Sequence, residues 1–554
     1  MRLPLDYKEN VPRSVRNLSL EKRTTFNAGV VIPILFQKIY PNDKFEIDFA
    51  TLLQSNPLVA PLMGQYVLQT NFFFEPDSNL YGWLDNNSKL LSSEILAKKR
   101  FTFSQCIPSL SPDGGDYVAA QADYAVTRGS LLDYYGISPA TFFTPGEDMV
   151  SFPSFTADRV LAYMDIIRNY YMPSQSVSAL YVRENRSENS QLGAIGRDQF
   201  DNFFKFLRNQ DDGFDLDNFP WSLDEYNMPD IGMFFEEMHK GGLFCVPYLP
   251  DMMRNLLLNI ESSKINVEVQ NGQFSIDTLR FKNKLQRLVD RYDISGGRFS
   301  NWLRTVWGTS GGKRLDIPQL IGSTSLTIDP SNITSTANTQ SASGGDPIGQ
   351  LAGNINQSNY KGKNKNKNFK FYFSSNEPGT LVCCVALIPK VDYSQGLSHD
   401  LTDTLFADDY KPQFAQLGYQ DVHRGYYTSI PTVTSNGTTS STVENPVDQV
   451  VGKQIAWLDL MSNVNRVHGE FAEGGYYQTW VLRRRYTHVT EWADEDRTIP
   501  KNSEYSMPSY YVDPRQYTYM FTNTNITEDN FFFQIAFDIR AVRPIGKRYM
   551  PTLE

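Results

Sequence analysis

The stretch FFFQIAFDI, residues 531–539, sets apolar side chains at every second position, namely Phe533, Ile535, Phe537 and Ile539. Because successive side chains of a β-strand point to opposite faces, this alternation predicts a strand with one buried face. Residues 44–49 show the same alternation, with Phe45, Ile47 and Phe49 separated by acidic residues. Both stretches favour a β-sheet with one solvated face.

Further strand-like runs lie near both ends of the chain. They are VVIPILF (30–36), QYVLQTNFFF (65–74), FKFYF (369–373), LVCCVALI (381–388) and YYQTWVLRRRY (476–486). Between them, apolar residues recur at the spacing of an amphipathic helix in residues 200–207, 285–292 and 299–306. Another helix is predicted from Ala157 to Tyr171, with Ser154 or Thr156 as its N-cap and Pro173 as its end.

Two segments, Gly322–Gly362 and Thr432–Asn445, are rich in Gly, Ser, Thr, Asn and Gln, which predicts long irregular loops. The chain has strands at both ends, helices and loops between them, and no βαβ alternation. It is therefore predicted to be mainly β, an antiparallel β-domain with large helical and loop insertions.

The composition is that of a globular protein of 554 residues with 40% hydrophobic and 21% charged residues. Phe, Tyr and Trp, which contribute much of the area buried in cores and interfaces, number 36, 31 and 7. No apolar window is long enough for a membrane helix, and the N-terminal residues are too polar for a signal peptide. The sequence predicts neither membrane insertion nor secretion.

The four cysteines match neither a zinc site nor a disulfide framework, which favours a reducing compartment and buried packing positions. They are Cys106, Cys245, Cys383 and Cys384.

The search for catalytic motifs points away from an enzyme. GTSGGK (308–313) is similar to a phosphate loop but has Trp307 and Arg314 where the motif needs Gly and Ser or Thr. DDGFDLDN (211–218) is similar to a calcium loop, but counted from Asp215 it has Pro220 and Tyr226 where that loop needs Gly and Glu. The five histidines are scattered without zinc spacing. We therefore predict no catalytic residue, no cofactor and no metal ligand.

Basic residues form three clusters that could contact phosphates by Coulomb attraction. They are the N-terminal residues Arg2, Lys8, Arg13 and Arg16, the lysine ladder Lys361, Lys363, Lys365 and Lys367, and the C-terminal residues Arg540, Arg543, Lys547 and Arg548. The alternative for each cluster is solvated charge that keeps sheet edges and tails soluble. With a net charge of -10, any nucleic-acid partner must meet a local patch.

The order of several short motifs resembles the major capsid protein of microviruses, the small single-stranded DNA phages, especially the gokushovirus-like branch. These motifs are KRTTFNAGVVIPI (22–34), PNDKF (41–45), APLMGQYVLQTNFFFEP (60–76), RNYYMPSQ (168–175), the region 274–323 and NFFFQIAFDIRAVRP (530–544). The usual Ser-His before the first motif is absent, with Leu20 and Glu21 in that region, and residues 176–272 contain no motif that we can place in that family.

The resemblance implies a single viral jelly roll, an eight-stranded antiparallel β-barrel, which assembles into a T=1 icosahedral shell around single-stranded DNA. Residues 1–28 would be an N-terminal arm, 29–175 and 273–554 the jelly-roll domain, and 176–272 an inserted outer protrusion. Gly322–Gly362 would be an ordered but irregular arm lying along neighbouring subunits.

The implied partners are copies of the chain itself, the single-stranded DNA genome, other virion or scaffolding proteins and a host surface receptor. The protein would be located in the virion after assembly in the host bacterial cytoplasm. The alternatives are a secreted or surface carbohydrate-binding β-sandwich and a glycoside hydrolase. The hydrolase would need two carboxylates facing one cleft, which the sequence does not identify.

Overall fold

The computed structural model describes much of the chain but not all of it. The described residues are 11–84, 100–103, 129, 131–136, 155–171, 178–182, 193–208, 282–288, 290, 299–309, 317–334, 351–358, 370–401, 410–414, 418–426, 432–435, 441–444, 450–461, 463, 465–472, 474–483, 517–523 and 528–547.

The described strands are β1 (Ser14–Asn17), β2 (Leu20–Phe26), β3 (Val31–Ile39), β4 (Lys44–Ser55), β5 (Tyr66–Pro76), β6 (Thr102–Phe103), β7 (Phe155–Thr156), β8 (Ser178–Val182), β9 (Gly193–Gly196), β10 (Gln319–Ile328), β11 (Pro330–Thr334), β12 (Leu351–Ser358), β13 (Lys370–Ser374), β14 (Gly379–Pro389), β15 (Tyr419–His423), β16 (Thr432–Ser435), β17 (Ser441–Glu444), β18 (Val450–Ile455) and β19 (Phe531–Arg543).

The described α-helices are α1 (Asp77–Leu80), α2 (Leu131–Tyr134), α3 (Asp158–Ile166), α4 (Arg197–Arg208), α5 (Phe299–Trp307) and α6 (Leu458–Met461). A π-helical turn, Ile167–Tyr171, continues α3. Short 3-10 helices cover Gly82–Leu84, His399–Leu401, Pro412–Phe414, Arg424–Tyr426, Gly469–Phe471 and Gln478–Trp480.

Two antiparallel sheets form the centre of the molecule. In the larger sheet the order is β1-β19-β4-β12-β11, with β2 also pairing with β19 and β13 with β4. In the smaller sheet the order is β10-β5-β14-β3. The protein is therefore mainly β, as predicted.

The main core lies between the two sheets and consists of the side chains that the alternating pattern predicts to be buried. β19 contributes Phe533, Ile535, Phe537 and Ile539, all at most 3% exposed. Aromatic rings meet across the core, as where the Phe72 ring of β5 lies edge-on to that of Phe537 at 6.2 Å. The predictions for residues 531–539 and 44–49 are confirmed.

The smaller sheet is covered on its second face by α3 and the π-helical turn. α3 packs on β5 and β14, and β14 is buried along almost its whole length. The Tyr163 hydroxyl donates to the carbonyl of Val31 at 2.7 Å, and the Asn71 amide donates to the Tyr171 hydroxyl at 2.8 Å. Because both faces are covered, β14 is an apolar run without alternation.

Two segments predicted to be irregular contain strands. Gly322–Ile328 belongs to β10, which pairs with β5, and β11 and β12 join the larger sheet. Thr432–Ser435 and Ser441–Glu444 form a hairpin. The prediction was wrong because Thr and Ser in β10 alternate with apolar residues such as Leu326 and Ile328, which is a strand pattern. The neighbouring strand β5 supplies the backbone hydrogen bonds that this polar segment could not form by itself.

One predicted strand is also corrected. Residues 478–480 of the stretch 476–486 form a 3-10 helix instead of a strand, since the backbone there turns back on itself. The amides of Tyr477 and Tyr476 donate to the Glu470 carbonyl and its Oε2, respectively, both at 3.0 Å.

The predicted helices are largely confirmed. α3 with its π-helical turn covers Asp158–Tyr171, α4 covers the stripe at 200–207, α5 covers 299–306, and residues 282–288 and 290 are helical. The predicted N-cap is wrong, because Ala157 occupies that position without a side-chain hydrogen bond. Its amide instead donates to the Phe101 carbonyl at 2.9 Å.

The predicted N-terminal arm and insertion are described only in part. Residues 14–26 lie in the larger sheet as β1 and β2 rather than beside it. α4 lies outside the core between the sheets and packs against α1, β8 and β9. Residues 209–272, including the acidic turn 211–218, lie outside the described part of the chain.

Cys383 and Cys384 are buried free thiols, as predicted. Burial raises the pKa of both. Cys106 and Cys245 lie outside the described residues. Among the helices that the structure describes, none is long and apolar enough to cross a membrane.

Candidate assembly and nucleic-acid surfaces

The structure describes five of the twelve predicted DNA-contact residues, namely Arg13, Arg16, Arg540, Arg543 and Lys547. The other seven, Arg2, Lys8, Arg548 and the lysine ladder Lys361, Lys363, Lys365 and Lys367, lie outside the described residues.

Pairing of β1 with β19 brings the N-terminal and C-terminal clusters to one corner of the larger sheet. Asn17 lies opposite Arg540, and Ser14 lies opposite Arg543. Arg16 Nη2 donates to the Gly546 carbonyl at 2.9 Å, which fastens the two chain ends together. We call Arg13, Arg16, Arg540 and Lys547 the basic corner. Arg13, Arg540 and Lys547 are exposed there, whereas Arg16 is half-buried.

Arg543 belongs to the interior of this corner. Its side chain is 11% exposed, and Nη2 donates to the Lys38 carbonyl at 2.7 Å. The guanidinium lies over the rings of Tyr40 and Phe45, at 5.7 and 5.5 Å, and forms an ion pair with Asp43. These contacts explain Arg543 as a structural residue and set it apart from its exposed neighbours.

The second face of the larger sheet carries both apolar and charged side chains. Val15, Tyr372 and Phe532 are exposed apolar residues on it. Lys370 forms an ion pair with Glu46 and lies over the Tyr372 ring. Cross-strand neighbours thus neutralise part of the charge on this face.

A buried charge network fastens α3 to the smaller sheet. Lys38 Nζ donates to both carboxylate oxygens of Asp77, at 2.8 and 2.9 Å, and the Tyr81 hydroxyl donates to Asp158 at 2.5 Å. Arg100 also donates to Asp158. Burial alone would raise the pKa of Asp158, but Arg100, Lys38 and Tyr81 together hold it below its usual range.

A second buried network lies between β5, α1, α3 and α4. Glu75 and Asp165 are 1% and 0% exposed and interact directly. Burial raises the pKa of both, and the charge of Asp165 raises that of Glu75 further. Asp165 has Arg168 at 3.5 Å and is also stabilised as a carboxylate by Arg208. Glu75 is therefore the carboxyl that stays protonated more readily, because Asp165 is the better compensated anion.

The sequence did not identify either network. Its signal was only the presence of acidic residues in otherwise apolar stretches, such as Glu75 after three phenylalanines. Both networks hold helices to the sheet. In the described part of the chain, no three His, Cys, Asp or Glu side chains are placed to hold a metal ion.

Part of the chain is similar to known capsid proteins. Residues 7–209, which include β1–β5 and the covering helices α3 and α4, match the family described as "Capsid protein (F protein)". Capsid protein VP1 of Spiroplasma virus 4 is 26% identical over 192 residues. That alignment covers 34% of this chain and 30% of the relative's length. Residues 7–209 are thus similar to the capsid protein (F protein) family, which confirms the resemblance to microvirus capsid proteins predicted from the sequence and extends it into residues 176–209, where the sequence motifs had shown none.

Proposed function

We propose that this chain is a structural capsid subunit that assembles with copies of itself into a closed T=1 icosahedral shell around single-stranded DNA. The observation that carries the proposal is the strand order of the two sheets, whose strands β1–β5 lie within the segment that matches capsid proteins.

Eight strands have the order expected of a jelly roll. In chain order they are β2, β3, β4, β5, β10, β13, β14 and β19. Numbered one to eight, they form a larger sheet in the order 1-8-3-6 and a smaller sheet in the order 2-7-4-5. Each sheet takes strands from both halves of the chain, as two interleaved Greek keys require. β1, β11 and β12 extend the larger sheet beyond this set.

The proposed DNA contact is the basic corner. The net charge of -10 makes the whole surface unattractive to a genome, so binding requires a local group of exposed cations. Arg13, Arg540 and Lys547 form such a group at the meeting point of the two chain ends. The undescribed Arg2, Lys8 and Arg548 would add to it.

The proposed host contact is the insertion at residues 176–272. Its described helix α4 stays outside the core between the sheets, with Phe204 under Arg168 at 4.8 Å. The Arg168 Nε lies 3.2 Å from Asp201 of α4. These contacts attach α4, at the base of the insertion, to the π-helical turn after α3. In this proposal the remainder of the insertion forms the outer protrusion. Scaffolding proteins and assembly in the host cytoplasm belong to the same proposal.

Expression of the full chain alongside its scaffolding proteins, followed by sedimentation and electron microscopy, tests the capsid role. Closed isometric particles of T=1 symmetry are expected. Phe537→Asp, which places a charge in the core, should give none and serves as the negative control. A wild-type chain that stays monomeric under these conditions and binds oligosaccharides instead would overturn the proposal.

A further inference from the structure

A region beside the sandwich has its own small sheet and almost no core. We call it the satellite region and define it as the described residues between 391 and 483. It is built around the pair β15–β18 and is joined to the sandwich by backbone hydrogen bonds, such as that from Met63 to the Trp480 carbonyl at 2.7 Å. Among its described residues, the buried apolar side chains are Ala456, Val481 and Leu482. An isolated two-stranded sheet is marginally stable in water, so this region needs cover from elsewhere.

The satellite region instead exposes large apolar side chains. Leu401, Tyr419, Ile455, Leu460, Met461 and Tyr476 are all between 58% and 90% exposed. Tyr419 and Ile455 lie directly opposite each other in β15 and β18 and therefore share a face. At about 200 Å² for a side chain of this size, the six together expose roughly 800 Å², which is about the area that one partner contributes to a stable protein–protein interface.

The most exposed of these residues, Tyr476, lies on a well-braced loop. We call residues 466–480 the aromatic loop. Gly469 and Gly474 adopt φ values of 65° and 83°, which favour glycine. Gly475 lies so close to the Glu470 carbonyl that an added Cβ would come within 2.2 Å of that oxygen. Both backbone and side chain of Glu470 accept hydrogen bonds from the residues at the tip. The loop thus holds a tyrosine that is 90% exposed in a defined position.

The arginines that the structure describes at the aromatic loop favour a protein partner over a nucleic acid. Arg466 donates to the carbonyls of Gly396 and Leu397, at 3.0 and 2.9 Å. Arg483, next to the loop, is 2% exposed and lies over the Tyr519 ring. Both of these cations are thus committed within the chain, whereas binding to nucleic acid depends on cations that can reach phosphates.

We propose that the satellite region docks onto a second copy of this chain and that Tyr476 is the anchoring side chain of the contact. The inference rests on the proposed capsid function, in which each subunit is surrounded by copies of itself. The hydrogen bond from the Tyr476 amide to Glu470 fixes the backbone at this position, so burial of the ring restricts only two side-chain torsions. Tyrosine is also among the residues that dominate interface energies.

Variants of the exposed tyrosines test the anchor. Tyr476→Ser should raise the protein concentration needed for half-assembly at least tenfold, and Tyr476→Phe should restore assembly because it keeps the ring. The matched control is Tyr372→Ser, which removes a tyrosine that is 71% exposed on the larger sheet and should change assembly less than twofold. All three variants should melt like the wild type. Equal losses from Tyr476→Ser and Tyr372→Ser would overturn the assignment.

A photo-cross-linker identifies the partner. With benzoylphenylalanine in place of Tyr476 in the assembling full chain, irradiation should give a dimer-sized product whose two peptides both come from this chain. A product with DNA or with another protein would overturn the proposal. If shells form normally but give no cross-link, and if Tyr476→Ser assembles like the wild type, the docking inference is wrong while the capsid proposal stands. Failure of the wild type to assemble at all would defeat the capsid proposal.

Discussion

The guanidinium of Arg543 lies 3.7 Å from the carboxylate of Asp43, a residue with no exposed surface. The Tyr40 amide donates to the same carboxylate at 2.9 Å. Burial raises the pKa of Asp43, whereas this hydrogen bond, Arg543 and Arg13 act in the opposite direction. The contact joins the end of the last strand to the turn between β3 and β4, and thus connects the two sheets at one corner.

Replacement of Arg543 by Gln should destabilise the fold by about 3 kcal/mol, because it leaves a buried carboxylate without its cation. The loss should be greater at neutral pH than below the ordinary Asp pKa of 3.8, where the carboxyl is neutral. Urea unfolding at both pH values measures this. Arg540→Gln, at an exposed position on the same strand, should stay within about 0.5 kcal/mol of the wild type. Equal effects of the two changes would contradict a structural role for Arg543.

Replacement of Arg13, Arg540 and Lys547 together by Gln should reduce packaged DNA per particle without loss of stability. For binding to single-stranded DNA, the slope of the logarithm of the binding constant against the logarithm of the salt concentration should fall in magnitude by about 0.7 for each lost phosphate contact, or about 2 in all. Titrations at several salt concentrations measure this slope. Arg23→Gln, exposed on β2 of the same sheet and paired with Glu21 at 2.7 Å, is the control and should keep the wild-type slope. An unchanged slope in the triple variant would rule out the basic corner as the DNA contact.

Replacement of Glu75 by Gln should remove a pH dependence of stability. The folded-state pKa of Glu75 is raised well above 4.5, so the folded protein holds a proton that the unfolded chain releases. The contribution of Glu75 to the free energy of unfolding is therefore fully present below pH 4.5, the pKa in the unfolded chain. It is lost as the pH rises toward the folded-state pKa, at about 1.4 kcal/mol per pH unit. The free energy of unfolding of the Gln variant should therefore rise relative to that of the wild type as the pH increases. The groups around Glu75 are Asp165, Asn79 and Arg208.

Urea midpoints from about pH 4 to pH 8 measure this effect. Glu21→Gln, an exposed change, should follow the wild-type curve. Parallel curves for Glu75→Gln and the wild type would show that the pKa of Glu75 is not raised in the folded protein.

Replacement of Asp158 by Asn should have the opposite pH signature. The pKa of Asp158 is held below 3.8 in the folded state, so its stabilisation is present at neutral pH and is lost as the pH falls through the folded pKa. At neutral pH the variant should lose about 2 kcal/mol, because the Tyr81 hydroxyl and Arg100 lose hydrogen bonds to a buried carboxylate. Thermal melts at neutral pH and at about pH 3 measure the difference. A loss of equal size at both pH values would indicate a packing effect alone.

Much of the sandwich could be predicted from local pattern. The alternation in residues 531–539 and 44–49 placed the correct side chains in the core, because a strand with one wet face has a period of two. The stripe at 200–207 predicted α4 for the corresponding reason. β10 escaped prediction because its Ser and Thr residues have the composition of a loop, and only its pairing with β5 reveals a strand.

The candidate site was predictable only as separate pieces. The two basic clusters at the chain ends were visible in the sequence, but their contact was not, because it depends on the pairing of β1 with β19. Arg16 and Gly546, which are hydrogen-bonded in the folded chain, lie 530 positions apart in the sequence. Arg540 and Arg543 were equivalent candidates in the sequence, yet the same strand exposes Arg540 and buries Arg543 over two rings.

The sequence by itself determined the strands and helices whose apolar residues recur with a regular period, such as those at 531–539 and 200–207, and which of their faces are apolar, since these follow from the spacing of neighbouring residues. Tertiary structure alone decided which cations stay exposed, that Glu75 and Asp165 share one buried site, and that Tyr476 is exposed on a braced loop. Such properties depend on contacts between residues distant in the chain, where burial and partner charges set the energy of each group.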